Sequence, residues 1–234
     1  MVSGHDCDDN SCALPGAVDS KTAAAPAAQG TVLHYIYDPL CGWCYGAAPL
    51  LQAAREVAGL HIELHGGGMM TGANRQQVSA QLRNYVMQHD QRISAMTGQP
   101  FGDSYFNGLL LDTTAILDSA PPTTAILAAD TVAGQGLAML ARIQAAHYVR
   151  GLRVADAAVL HALAIEMGLD PELFDSKFAE LGGAATQVHI AASRAFLARV
   201  GAKAFPLSYC SAGRKSKCWT PAVSLVRRQP GKLH

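Results

Sequence analysis

Thr31-Val32-Leu33-His34-Tyr35-Ile36-Tyr37 is a run of β-branched, aliphatic and aromatic residues. It predicts a short, largely buried strand. Asp38-Pro39 closes it, because the residue before a proline is pushed towards extended geometry and a turn follows. Apolar positions then recur at helical spacing through Leu50, Leu51, Ala54, Val57 and Ala58, until Gly59. Leu60, Ile62 and Leu64 alternate with His61 and Glu63, which predicts a second strand. Strand, helix and strand at this spacing make a βαβ unit with a parallel pair. Gly66-Gly67-Gly68-Met69-Met70 ends it, either as a loop lining a groove or as a plain turn backed by core methionines.

From Asn74 to about Val200 the pattern is helical almost throughout. Leu82, Tyr85, Val86 and Met87 predict one helix, extended by Ile93 and Met96, and the segment Gly98 to Gly102 interrupts it. The stretch from Tyr105 to Ser119 reads as a helix or as a connection. Helices follow from Pro121-Pro122 to Gly134, from Gly136 to Arg150, and from Asp156 to Met167, with Gly168 as a stop. Asp170-Pro171-Glu172 supplies an N-cap, a first-turn proline and a first-turn acid. A long helix over about Ala184 to Val200 completes the set, and a third strand is expected after Gly201-Ala202-Lys203-Ala204-Phe205-Pro206.

Composition narrows the class. The chain has 234 residues, half of them apolar, with a formal net charge of zero. That length buries a real core, and the neutral balance gives no reason to expect nucleic acid or an anionic membrane as partner. No apolar run approaches the ~20 residues of a membrane span, and Met1 to Gly30 lacks the basic start and apolar centre of a secretory signal. The expected location is therefore the cytoplasm. Residues 1–30, acidic and then rich in alanine and proline, read as a flexible tail. Its Cys7 and Cys12 are either two exposed thiols without function or a pair able to join, to exchange with Cys41, or to hold a metal with His5.

The candidate chemistry is Cys41-Gly42-Trp43-Cys44, set where the first strand passes into the first helix. Helix N-termini stabilise anions, so a thiolate at Cys41 gains what the neutral thiol does not. Cys44, one turn further in, is better shielded and placed to resolve a mixed disulfide. Two other readings exist: half of a zinc site, or an inert pair. Zinc needs two more ligands at comparable spacing, and no second C-x-x-C occurs; Cys7, Cys12, Cys210 and Cys218 lie near the ends of the chain. His89, His147, His161 and His189 show no metal spacing, and phosphate-loop, dinucleotide and nucleophile-elbow motifs are missing from the sequence. No metal and no cofactor is expected. The proline at 206 is an ordinary turn residue or a cis proline beside the cysteines, where Phe205 would pair with an extended peptide.

Taken together, Asp38-Pro39-Leu40-Cys41-Gly42-Trp43-Cys44-Tyr45-Gly46, the Gly66 to Met70 loop, the long helical stretch and Phe205-Pro206 resemble the DsbA-like branch of the thioredoxin superfamily. Within it they are similar to the FrnE-type predicted disulfide isomerases. The resemblance implies an α/β thioredoxin fold, carried by residues 31–70 and 184–234, interrupted by a helical insertion over 71–183. It implies Cys41 as nucleophile, Cys44 as resolver and Pro206 as the cis proline. Gly42 and Trp43 occupy positions that tune redox potential in the family, and with Phe205 and Pro206 they are the expected substrate-binding residues. Protein or small-molecule disulfides and thiols, glutathione among them, are the implied partners. Kappa-class glutathione transferases and 2-hydroxychromene-2-carboxylate isomerases have similar architecture but lack the paired cysteines. After Pro206 the pattern departs from the family: few aliphatics alternate, and residues 207–234 carry six Lys and Arg and no acid. The C-terminal strands are therefore expected to be atypical or incomplete. Besides a disulfide oxidoreductase or isomerase, the residues admit a glutathione-linked transferase or isomerase, or a redox-sensing module without turnover.

Overall fold

A computed structural model of the chain describes residues 31–201, 205–212 and 215–219. The tail with Cys7 and Cys12, and the chain end after Trp219, lie outside the described residues. Strand β1 (Thr31–Tyr37) pairs in parallel with β2 (Leu60–Gly66), with Thr31 opposite Leu60 and Tyr37 opposite Gly66. On its other side β1 pairs antiparallel with β5 (Leu207–Ala212), which pairs antiparallel with β6 (Lys215–Trp219). The sheet order is β2-β1-β5-β6, so β1 is flanked on both edges. Tyr35, Ile36 and Tyr37 are fully buried by what packs on the two faces of this central strand. The segment after Pro206, expected to be atypical or incomplete, thus supplies two antiparallel strands, begun by Leu207, itself fully buried.

The helix expected between the first two strands is two helices, α1 (Gly42–Gly46) and α2 (Ala48–Arg55). The break follows from Pro49, which has no N–H to give to the Tyr45 carbonyl. Gln99 Nε2 donates to that carbonyl at 3.0 Å. The first cysteine pair residue, Cys41, caps α1 with extended backbone.

Between β2 and the return to the sheet lie α3 (Ala80–Thr97), α4 (Ala120–Ala133), α5 (Gly136–Tyr148), α6 (Ala157–Glu166) and α7 (Pro171–Leu181), followed by α8 (Ala184–Arg199). Asp170 Oδ1 accepts a first-turn N–H of α7 and Gly98 and Gly134 close α3 and α4 in the left-handed region, as the sequence signals predict, and Ser79 Oγ, which the pattern did not single out, accepts a first-turn N–H of α3. This stretch is not wholly helical. Gln76–Gln77 (β3) and Ile116–Leu117 (β4) form a two-residue antiparallel ribbon, and short π and 3-10 turns occupy 104–111. Such a ribbon is too short to leave an alternating pattern. Helix α4 is buried on nearly all sides from Pro122 to Ala129 and forms the centre of the helical part.

The two faces of β1 have different neighbours. Tyr35 and Tyr37 stack on each other, ring centroids 5.6 Å apart, and join the main core with α4 and α5. Ile36 packs on the opposite side with Leu197, Leu207, Phe196 and Val200, beneath α8. No helix among the described residues is long and apolar enough to cross a membrane.

Candidate active site

Three elements converge at the end of β1. The chain leaves the strand through a turn in which Cys41 N donates to Asp38 O at 3.2 Å, and Tyr45 N then returns to Cys41 O at 3.0 Å to start α1. Helix α3 crosses close above. A Cβ on Gly42 would lie 2.6 Å from Asp90 Oδ1 and 2.8 Å from Ile93 Cδ1, so glycine is what lets α3 approach.

Both cysteines are free thiols, and their side chains lie within hydrogen-bonding reach of each other. Cys44 is fully buried, whereas Cys41 keeps a slight exposure of 8%. Burial first, and the neighbouring Cys41 second, push the Cys44 thiol well above the usual range. The backbone N–H of Asp38 donates to Cys44 Sγ at 3.4 Å, and Tyr35 Oη donates to the Cys44 carbonyl at 3.3 Å.

Asp38 ties the site together. Its carboxylate accepts from Leu40 N at 2.8 Å, from Ser119 Oγ at 2.9 Å and from the Met69 N–H. Burial raises its pKa, opposed by those three hydrogen bonds and by Arg194. Ser119 also accepts the Met70 N–H at 3.1 Å, and Arg194 of α8 donates to the carbonyls of Gly67 (2.8 Å) and Gly68. The cysteine turn, the glycine–methionine loop, the start of α4 and α8 are thus joined through polar groups.

Cys41 opens into a cavity of about 180 Å³ whose walls include Gly42, Trp43, Met69, Met70 and Tyr85. Its polar floor is Asp90, which accepts from Tyr105 Oη at 2.8 Å, with His147 close by. Burial lifts the Asp90 carboxyl to about 6, with the Tyr105 hydroxyl pulling the other way. His147 is held neutral, its pKa lowered to about 4 by burial.

The structure therefore gathers Cys41, Gly42 and Trp43 around one opening, with Cys44 behind them. Met69 and Met70 line it, as the groove reading of that loop expects, and both also pack against the main core, as the other reading expects. Phe205 reaches the neighbourhood from the far end of the chain: its ring sits where a Cβ on Gly67 would be, 2.1 Å from Cζ. The Phe205–Pro206 bond is cis and Pro206 is buried. Neither is among the described cavity walls. Asp38 was legible only as turn punctuation, and Asp90, Tyr105, Ser119 and Arg194 carried no signal in the sequence.

Among solved structures the chain is similar to the cytosolic disulfide reductase DsbM from Pseudomonas aeruginosa, at 53% identity and a TM-score of 0.76, covering 81% of this chain and 89% of that one. The chain belongs to the DsbA-like oxidoreductases of the thioredoxin superfamily. A second structure of DsbM, with GSH, gives a TM-score of 0.75. A candidate protein disulfide isomerase from Nitrosomonas europaea matches at 26% identity and 0.71, over 84% of this DsbA-like chain and 92% of that one. A 2-hydroxychromene-2-carboxylate isomerase, at 13% identity and 0.52 over 80% and 87%, shares the fold alone. No family model and no curated protein matches the chain.

Proposed function

We propose that this DsbA-like oxidoreductase reduces disulfides through Cys41 and Cys44, with glutathione as the thiol that restores the pair. The observation that carries the reading is the asymmetry of the two sulfurs: Cys41 faces the cavity, while Cys44 is sealed behind it. The Cys41 thiolate attacks one sulfur of a substrate disulfide, a mixed disulfide forms, and the other substrate sulfur leaves as a thiolate that takes up a proton. Cys44 then loses its proton and attacks Cys41 Sγ, expelling the second thiol and leaving a Cys41–Cys44 disulfide. Two electrons have passed to the substrate. Two glutathione molecules return them, giving glutathione disulfide and the dithiol.

The second step is aided by the first. Cys41 contributes to holding the Cys44 proton. Once Cys41 is bound in a mixed disulfide that contribution is gone, and the buried thiol ionises more easily than in the resting pair.

Gly42 and Trp43 are the proposed contacts for the reacting disulfide, with Phe205 and Pro206 completing the groove from the chain's other end. Residues 31–70 and 184–234 form the thioredoxin-like part, and 71–183 an insertion that walls the groove and restricts what enters. The cytoplasm is the proposed location, as the name of DsbM states for that protein.

The test is glutathione-coupled reduction of a small disulfide and of insulin, alongside refolding of a scrambled protein. Turnover that vanishes in Cys41→Ser and in Cys44→Ser supports the dithiol route. Turnover that survives Cys44→Ser would point to a glutathione-linked transferase or isomerase. A reversible Cys41–Cys44 disulfide without turnover would leave a redox-sensing module.

A further inference from the structure

Away from the thiols, on the face of the sheet beneath α8, three electron-rich side chains meet. His34 of β1 stands opposite Glu63 of β2, and His65 is two residues further along the same strand, so strand alternation puts all three on one face. His34 Nδ1 lies 3.0 Å from His65 Nε2 and 3.1 Å from Glu63 Oε2, and His65 Nε2 lies 3.7 Å from Glu63 Oε1. Two nitrogens and a carboxylate therefore converge on one point. Three ligand atoms about 2.0–2.2 Å from a zinc ion would be separated by about 3.3–3.6 Å, close to these contacts, in which each imidazole faces one of the two Glu63 oxygens.

We propose that His34, Glu63 and His65 form a binding site for a divalent first-row transition ion. A proton between two of these atoms joins only that pair, whereas a cation at the centre satisfies all three and uses the charge of Glu63. The rings are held for it. His34 Nε2 lies 3.2 Å from Ser211 Oγ of β5; with Nε2–H donating there, Nδ1 is left as a lone pair facing the other two ligands. Phe196 of α8 stacks on His65 at 4.9 Å and 14°, and touches His34 at 4.9 Å, covering the site with an apolar wall. Glu63 is half exposed and gives the ion a way in. Two imidazoles and one carboxylate suit zinc or another borderline ion, with a fourth position left for water.

The experiment uses the full chain, stripped of metal and titrated with Co²⁺ and Zn²⁺ against a chromogenic chelator, in the wild type and in a Cys41→Ser/Cys44→Ser background. One ion per chain is expected in both. The cobalt spectrum should lack a sulfur-to-metal band, and X-ray absorption should show only nitrogen and oxygen at about 2.0–2.2 Å. Zn²⁺ affinity should fall at least about tenfold in Glu63→Gln and in His65→Asn. Glu63→Gln, at a half-exposed strand position, keeps the test valid should His65→Asn fail to fold. Absence of binding, sulfur in the coordination shell, or an affinity unmoved by Glu63→Gln would overturn the proposal.

Discussion

The backbone N–H of Asp38 points at the Sγ atom of Cys44 across 3.4 Å, while the Asp38 carboxylate reaches the opposite way to Leu40, Met69 and Ser119. One residue thus fixes the buried sulfur and the loops around it. Asp38→Asn should keep one acceptor oxygen and turn an NH₂ group towards at least one N–H donor. A buried donor left without a partner costs about 1–3 kcal/mol. A loss of that size in urea unfolding is expected, and an unchanged midpoint would show that Asp38 does not hold the site together.

Cys44→Ser removes the proposed resolving sulfur but leaves the more exposed Cys41 in place. Mixed with glutathione disulfide, this variant should accumulate one more glutathione per chain than the wild type, and the extra one should map to Cys41. Intact-mass spectrometry under non-reducing conditions reads the difference. Labelling of Cys44 in preference to Cys41 by a small alkylating agent would contradict the assignment of roles.

Asp90 gives a pH dependence with a definite sign. Its folded pKa, about 6, lies above the ordinary carboxylate value of 3.8. Between those values the unfolded chain has lost the proton and the folded chain keeps it, so stability falls as pH rises from about 4 to 6 and is level above. Asp90→Asn preserves an acceptor for Tyr105 and removes the cost of burying charge. It should stabilise the protein by about 1–3 kcal/mol at pH 7 and by nearly nothing at pH 4. Thermal melts across this range check it; an equal effect at both ends would refute it.

Gly67 and Phe205 should be coupled. Gly67→Ala drives a methyl group into the Phe205 ring, and overpacking of this kind typically costs 1–3 kcal/mol. In a Phe205→Ala background the same methyl group finds room, so the two losses should fall short of adding. A double-mutant cycle on unfolding free energy measures the shortfall; strict additivity would mean that the ring does not rest on Gly67.

What could be read from the residues was whatever depends on neighbours in sequence. The strand at Thr31–Tyr37, the cysteine turn, the cap at Asp170 and the terminating glycines all announce themselves locally. The β3–β4 ribbon did not, since two residues are too few to alternate. Nor did the break at Ala47, although Pro49 gives its reason once the Tyr45 carbonyl is traced to Gln99. Asp90 looked like any helix-surface acid within α3, and only packing against Gly42 placed it beside Cys41. His34, Glu63 and His65 escaped a search by spacing because their meeting depends on the register of two strands.

The hydroxyl of Ser119 grips Asp38 and Met70 at once, at the point where α4 begins. Helices that might otherwise swing aside like a cap are therefore clamped at their root to the cysteine turn. With that root tied, the side chains at the rim, Met69, Met70 and Tyr85, are the adaptable part of the entrance. On the function proposed above, an entrance of that kind would suit a slender thiol or an unfolded loop better than the rigid surface of a folded protein.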